Sequence, residues 1–199
     1  MPGRPAGPTV GGMVPTRILV AHASRHGSTR EVAEAVAATL RSRGLAVDVM
    51  PAADVADLLE YAGVVLGGAL YTGRLVKDAR RFLARHHDAL GHRHFAVFAL
   101  GPRTLDAADV AASRAQLDRA LRRSPEPESV AVFGGVISPE QLGFPFNRMP
   151  AGDARDWTAI AAWASALADR LAPGLRPFTD GTAPTEADDG VMNTPERQI

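Results

Sequence analysis

The chain has 199 residues, 46% of them hydrophobic and 22% charged, which suits one folded domain with appendages. Its 22 basic and 22 acidic residues cancel, which excludes the strongly basic surface that nucleic acid or an anionic membrane recruits. The cysteine count of 0 excludes thiol nucleophiles, thiolate zinc sites, iron–sulfur ligation and dithiol chemistry, so any redox function must use a bound cofactor.

Residues 1–16, MPGRPAGPTVGGMVPT, carry Pro and Gly where a signal peptide needs an apolar core, and are expected to be a disordered leader. No apolar run approaches the roughly 20 residues of a membrane span, so the chain is read as cytoplasmic. From Arg17 onward, short apolar runs alternate with stretches of helical period. Arg17–His22 reads as a buried strand, and Ser28–Arg43 as a helix with Val32, Val36 and Leu40 on one face beside Ala33 and Ala37, stopped by Gly44. Leu45–Met50 is a second strand, Ala52–Tyr61 a weak helix, and Ala62–Leu66 a third strand ending at Gly67-Gly68. Leu75–Leu90 is a helix with the stripe Leu75, Ala79, Phe82, Leu83 and Leu90; His94–Leu100 is a strand and Asp109–Arg123 a helix. Val130–Ile137 reads as a strand covered on both faces. A loop follows, then a last helix over Asp153–Leu171 with Ile160, Ala164, Leu167 and Leu171 in phase, then a tail from Pro173 to Ile199 expected to be disordered.

Five strand–helix units with right-handed crossovers predict a doubly wound, five-stranded parallel sheet in a three-layer α/β sandwich over residues 17–172, of flavodoxin-like order 2-1-3-4-5 or a Rossmann-like variant. In such sheets ligands bind beyond the carboxyl ends of the strands, so the loops after strands one, three, four and five are the candidates.

The first loop, Ser24-Arg25-His26-Gly27-Ser28-Thr29, combines hydroxyls, a glycine and an immediate helix start, as a phosphate site requires. It reads equally as an ordinary helix start with Ser28 capping and Glu31 closing a capping box. Neither G-x-G-x-x-G nor G-K-[ST] occurs, and the only lysine is Lys77. A phosphoacceptor receiver would need acids where His22, Ser24 and Gly67-Gly68 stand, and a serine hydrolase would need a G-x-S-x-G elbow. His86, His87, His92 and His94 lie at the opposite end of the sheet and suit solvated helix-end histidines better than a metal site. Trp157 and Trp163 read as packing groups.

Ser24–Thr29 resembles the [ST]-x-x-G-x-T loop that holds the phosphate of flavin mononucleotide (FMN) in flavodoxins, and the resemblance spans about residues 17–171. The chain is most similar to flavodoxin-domain proteins of the quinone-dependent protoporphyrinogen oxidase type. Three motifs carry that likeness: the Ser24–Glu31 opening, the Gly-Gly-Ala turn after strand three, and Gly152-Asp153-Ala154-Arg155-Asp156-Trp157. The resemblance implies noncovalent FMN held by Ser24, Arg25, His26, Gly27, Ser28 and Thr29, with Ala69, Leu70, Tyr71, Thr72 and Gly73 against the ring and Gly101, Pro102 and Arg103 on the next loop. His26 would pair with phosphate or pack on the ring edge, and Tyr71 would stack on the ring or cover the strand edge. Gly67 and Gly68 would allow close backbone approach.

The loop after strand four lacks the aromatic that carrier flavodoxins place there, which suggests one open ring face. Arg25, Arg74, Arg103 and Arg148 would hold phosphate or substrate carboxylates, or stay solvated. The loop of residues 138–152, with Leu142, Phe144, Phe146 and Met149, would dock on the domain or meet an apolar partner, a quinone, porphyrinogen or membrane surface. It is shorter than in members with a porphyrinogen role. The expected function is FMN-dependent oxidoreductase chemistry with a quinone, a porphyrinogen or another small donor or acceptor. The alternatives are a small electron carrier serving a redox protein and a flavin-free binding or regulatory module. No general acid or base, metal or nucleic-acid partner is expected.

Overall fold

The computed structural model describes residues 17–24, 27–71, 73–101, 105–137 and 151–175. The strands β1 (Arg17–Ala23), β2 (Ala46–Pro51), β3 (Tyr61–Tyr71), β5 (His94–Leu100) and β6 (Ser129–Phe133) form a parallel sheet in the order β2-β1-β3-β5-β6. With the short β4 (Arg74–Leu75), an antiparallel addition to β3, left aside, this is the expected order 2-1-3-4-5. Helices α1 (Ser28–Ser42) and α5 (Trp157–Leu175) cover one face. The other carries α2 (Lys77–Arg85), the single turn α3 (His87–Leu90) and α4 (Ala107–Leu121).

Alternate strand residues feed two cores. Ile18, Val20, Val65, Ala96 and Phe98 meet Val32, Val36 and Leu40 of α1 and Ile160, Ala164, Leu167 and Leu171 of α5. Leu19, Ala21, Val64, Leu66 and Val97 meet Ala79, Phe82 and Leu83 of α2 and Leu117 and Leu121 of α4. Every position assigned to the apolar stripes of α1, α2 and α5 is thus buried.

Several expected boundaries shift. Residues 52–60 are turns, not a helix: Ala52 N bonds His22 O, Asp54 N bonds Pro51 O, and the Asp57 carboxylate accepts from Leu59 N at 3.0 Å. The last two are local bonds that compete with a helical ladder, and the first ties the segment's start to β1. β3 runs through Gly67-Gly68 to Tyr71, because neighbouring side chains fill the room that the glycines leave. A Cβ on Gly67 would lie 2.2 Å from Phe98 Cζ, and one on Gly68 2.8 Å from Leu75 Cδ1. That space therefore belongs to Phe98 and Leu75 and not to a ligand. The expected helix over 75–90 becomes β4, α2 and α3, interrupted at His86, while its whole stripe stays buried.

The expected fifth strand ends at Phe133. Val136–Ile137 forms a separate strand, β7, antiparallel to β8 (Gly152–Asp153). β6 is an edge strand, with Ser129 to Val132 only half-buried, so its apolar run does not mark coverage on both faces. The last helix starts at Trp157, after β8, and reaches Leu175. The expectations for residues 1–16 and 176–199 lie outside the described residues.

Candidate functional site

β1, β3 and β5 are adjacent, with Ala23 opposite Gly68 and Ala69 opposite Leu100, so their three following loops emerge side by side at the carboxyl edge of the sheet. On the first of these, Gly27 is the residue before α1 and has φ of 88°, a left-handed conformation that glycine adopts without strain. Its N–H donates to Ser24 Oγ at 2.9 Å, and its carbonyl accepts the first helical bond from Glu31 N at 3.1 Å.

Among the described residues no side chain caps α1, and the first-turn N–H groups lie at the positive end of the helix dipole. The capping box does not form: Gly27 takes the cap position, and Glu31 turns away to Arg155. The Thr29 hydroxyl is fully buried, and among the described residues its Oγ1 has no hydrogen-bond partner. A buried hydroxyl without a partner is costly. Here it lies two residues past Gly27, where an anion bound at the helix start can accept a hydrogen bond from it. The turn therefore fits a phosphate on three counts: the first-turn N–H groups, the left-handed Gly27, and an orphan hydroxyl.

Under this turn, His22 faces the α1 side of the sheet, 9% exposed, with Nδ1 unpartnered among the described residues. Burial pushes its pKa down, and Arg30 adds to the shift against the opposing pull of Glu34 and Asp54. His22 is thus held neutral.

Of the other expected site residues, Ala69 is buried, Leu70 and Tyr71 are half-buried against the α2/α4 core, and Gly73 turns back into β4 at φ of 77°. Val76 N donates to Ala69 O, which closes this hairpin. Gly101 lies under Leu70, since a Cβ there would be 3.0 Å from Leu70 Cδ1 and 3.3 Å from Ser113 Oγ. Gly73 and Gly101 thus both lie against α4, through Gln116 and Ser113. Arg25, His26, Thr72, Pro102, Arg103, Arg148 and the loop over 138–150 lie outside the described residues. Arg74 is exposed.

The histidines separate. His86 is buried against Phe82, with ring centroids 4.7 Å apart, and is not solvated; burial lowers its pKa while a hydrogen bond to the Val55 backbone opposes the shift. His94 pairs with Glu128 at 2.8 Å. Among the described residues no group of His, Asp and Glu converges as metal ligands would. Trp163 does pack, edge-on to Phe98 and Phe133, and donates to Ser129 Oγ at 2.9 Å. Trp157 is 45% exposed and instead lies beneath Arg155.

Sequence reasoning assigned no role to Arg155. It ties Glu31 of α1 to the stretch that runs from Asp153 of β8 to Arg155, two segments that only the fold brings together. The Gly152–Trp157 motif marked the position without a purpose.

This is a doubly wound α/β protein with a left-handed glycine turn opening the helix at its first strand–helix junction. A family model described as "Flavodoxin domain" matches residues 19–149, and the chain belongs to that family. Solved structures agree on the fold. A flavodoxin of Streptococcus pneumoniae TIGR4 is 23% identical at a TM-score of 0.53, over 79% of this chain and 98% of its own. A short-chain flavodoxin associated with a PDU bacterial microcompartment is 13% identical at 0.54, over 82% of this chain and 100% of its own. The Flv1 flavodiiron core of Synechocystis sp. PCC6803 is 15% identical at 0.54; the match covers 80% of this chain but only 37% of that larger one. No curated protein matches the chain.

Proposed function

We propose that this chain is an FMN-binding electron-transfer domain, with the ribityl phosphate at the Ser24–Thr29 turn. The observation that carries the reading is the buried Thr29 Oγ1, without a partner among the described residues, at the glycine-led start of α1. Bound FMN supplies one- or two-electron chemistry that the side chains, lacking cysteine, do not. The chain's own part is positioning. Ser28, Thr29 and the first N–H groups of α1 receive the phosphate, and Ser24 fixes the turn through Gly27 N. The hairpin around Tyr71 and the start of the Gly101 loop border the adjoining edge; Arg25, His26, Thr72, Pro102 and Arg103, the rest of the expected set, lie outside the described residues.

The test is the visible spectrum of the purified protein together with titration of the apoprotein by FMN and riboflavin. Hydrogen bonds to a charged group contribute about 1.5–3 kcal/mol each. FMN should therefore bind far more tightly than riboflavin, and Ser28→Ala with Thr29→Ala should weaken FMN by on the order of a hundredfold while riboflavin changes little. Equal affinities for the two flavins in the unmodified protein would remove the phosphate site.

The likeness to the protoporphyrinogen oxidase type would make a quinone or porphyrinogen the acceptor. The residues that would meet such a molecule, Arg103, Arg148, Phe144 and Phe146, lie outside the described set. One surface observation favours the carrier reading instead: Arg74, Lys77, Arg80, Arg81 and Arg85 are all exposed beside the single acid Asp78. This basic strip begins at the hairpin beside the cofactor edge and suits an acidic redox protein. Placement in the cytoplasm remains part of the proposal; among the described residues no helix is long and apolar enough to cross a membrane.

A further inference from the structure

Arg155 lies between β8 and α5 with its side chain only 10% exposed, although both carboxylates it holds are open to solvent. It grips Asp153 in two places, Nε to Oδ1 at 2.9 Å and Nη2 to Oδ2 at 2.7 Å, while Nη1 donates to Glu31 Oε2 at 2.6 Å. Its guanidinium carbon lies 4.7 Å from the centroid of the Trp157 ring. Asp153 is itself fixed, because β8 pairs with β7 and Ala154 N bonds Gly135 O at 3.1 Å. The hydrogen bonds from Arg155 hold the Asp153 carboxyl below the usual carboxylate range, and the same contacts push the Arg155 pKa further up. The Arg155–Asp153 pair is therefore complete at neutral pH.

Glu31 is the acidic residue of the first turn of α1. Its charge suits the helix dipole, but a phosphate at the same helix end would meet it as a second anion. In a capping box its carboxylate would fold back over the turn that the phosphate needs. Arg155 draws it sideways to β8 and offsets its charge.

We propose that Arg155 is a positioning residue of the phosphate turn: by holding Glu31 against β8 it keeps the first-turn carboxylate out of the space and field of a bound phosphate. The inference rests on the FMN reading and is tested on the full chain by titrating FMN and riboflavin into Arg155→Met, Glu31→Gln and the double variant. Arg155→Met should weaken FMN about tenfold and riboflavin less than about twofold, with the loss shrinking as salt is raised. The double variant should return FMN to within about twofold of the unmodified protein, because the uncompensated carboxylate is gone. Glu31→Gln alone should bind FMN at least as tightly as the unmodified protein.

Equal weakening of both flavins by Arg155→Met, or a double variant no better than Arg155→Met, would make Arg155 a structural brace only. Should Arg155→Met fail to fold, a Glu31→Gln variant that binds FMN more weakly would overturn the proposal by itself. An unmodified protein with no preference for FMN would remove the phosphate site, a separate failure from that of Arg155.

Discussion

Thr29 concentrates a conflict between stability and binding in one hydroxyl. Among the described residues its buried Oγ1 has no partner, and a buried hydroxyl left so costs about 1–3 kcal/mol that a phosphate would relieve. Replacing Thr29 with Val keeps the shape and removes the polar atom. The ligand-free Thr29→Val protein should be more stable than the unmodified one by about 1 kcal/mol in urea unfolding, and should bind FMN more weakly. A variant that loses stability without ligand would show that the hydroxyl already has a partner. The turn itself was legible in the sequence, since glycine and hydroxyls before an amphipathic helix have few uses. What could not be read was the choice between an ordinary cap and an anion site. That choice rests on where Glu31 points, and Glu31 is directed by a residue in the last connection of the fold.

Among the elements, periodicity identified the buried faces of α1, α2 and α5 because the two cores select residues by the same 3.6-residue period. It failed where a local signal has two meanings. Gly67-Gly68 read as the end of a strand, yet both lie within β3, because Phe98 from β5 and Leu75 from β4 occupy the volume that side chains would need. Cross-strand occupancy of this kind leaves no mark in the neighbouring sequence. The β7–β8 pairing was hidden for a similar reason: two-residue strands far apart in the chain carry no period. The glycine reading has a direct consequence. Gly67→Ala would put a methyl 2.2 Å from Phe98 Cζ and must turn a ring that also touches Phe133 and Trp163. The expected loss is about 1–3 kcal/mol, measured as a lower urea midpoint, and Phe98→Leu in the same chain should recover part of it. An unchanged midpoint for Gly67→Ala would mean that the ring moves freely.

For the molecule as a whole, a net charge of +0 conceals an uneven surface. Helices α2 and α4, on one face of the sheet, carry six basic residues against three acids, whereas α1 and α5 carry three of each. Exposed charges act over roughly a Debye length, about 10 Å at 0.1 M salt, so the excess is felt by a docking protein and hardly at all by a neutral small molecule. Electron exchange between the FMN-loaded chain and an acidic iron–sulfur ferredoxin should therefore slow at least about tenfold as salt rises from roughly 20 to 300 mM. Exchange with a neutral short-chain quinone should stay flat. Arg80→Glu with Arg81→Glu, two exposed positions away from the phosphate turn, should slow the protein reaction at low salt and leave FMN affinity unchanged. A salt-insensitive reaction with the ferredoxin, beside rapid turnover with the quinone, would favour a small-molecule acceptor and leave the basic face without a part in electron transfer.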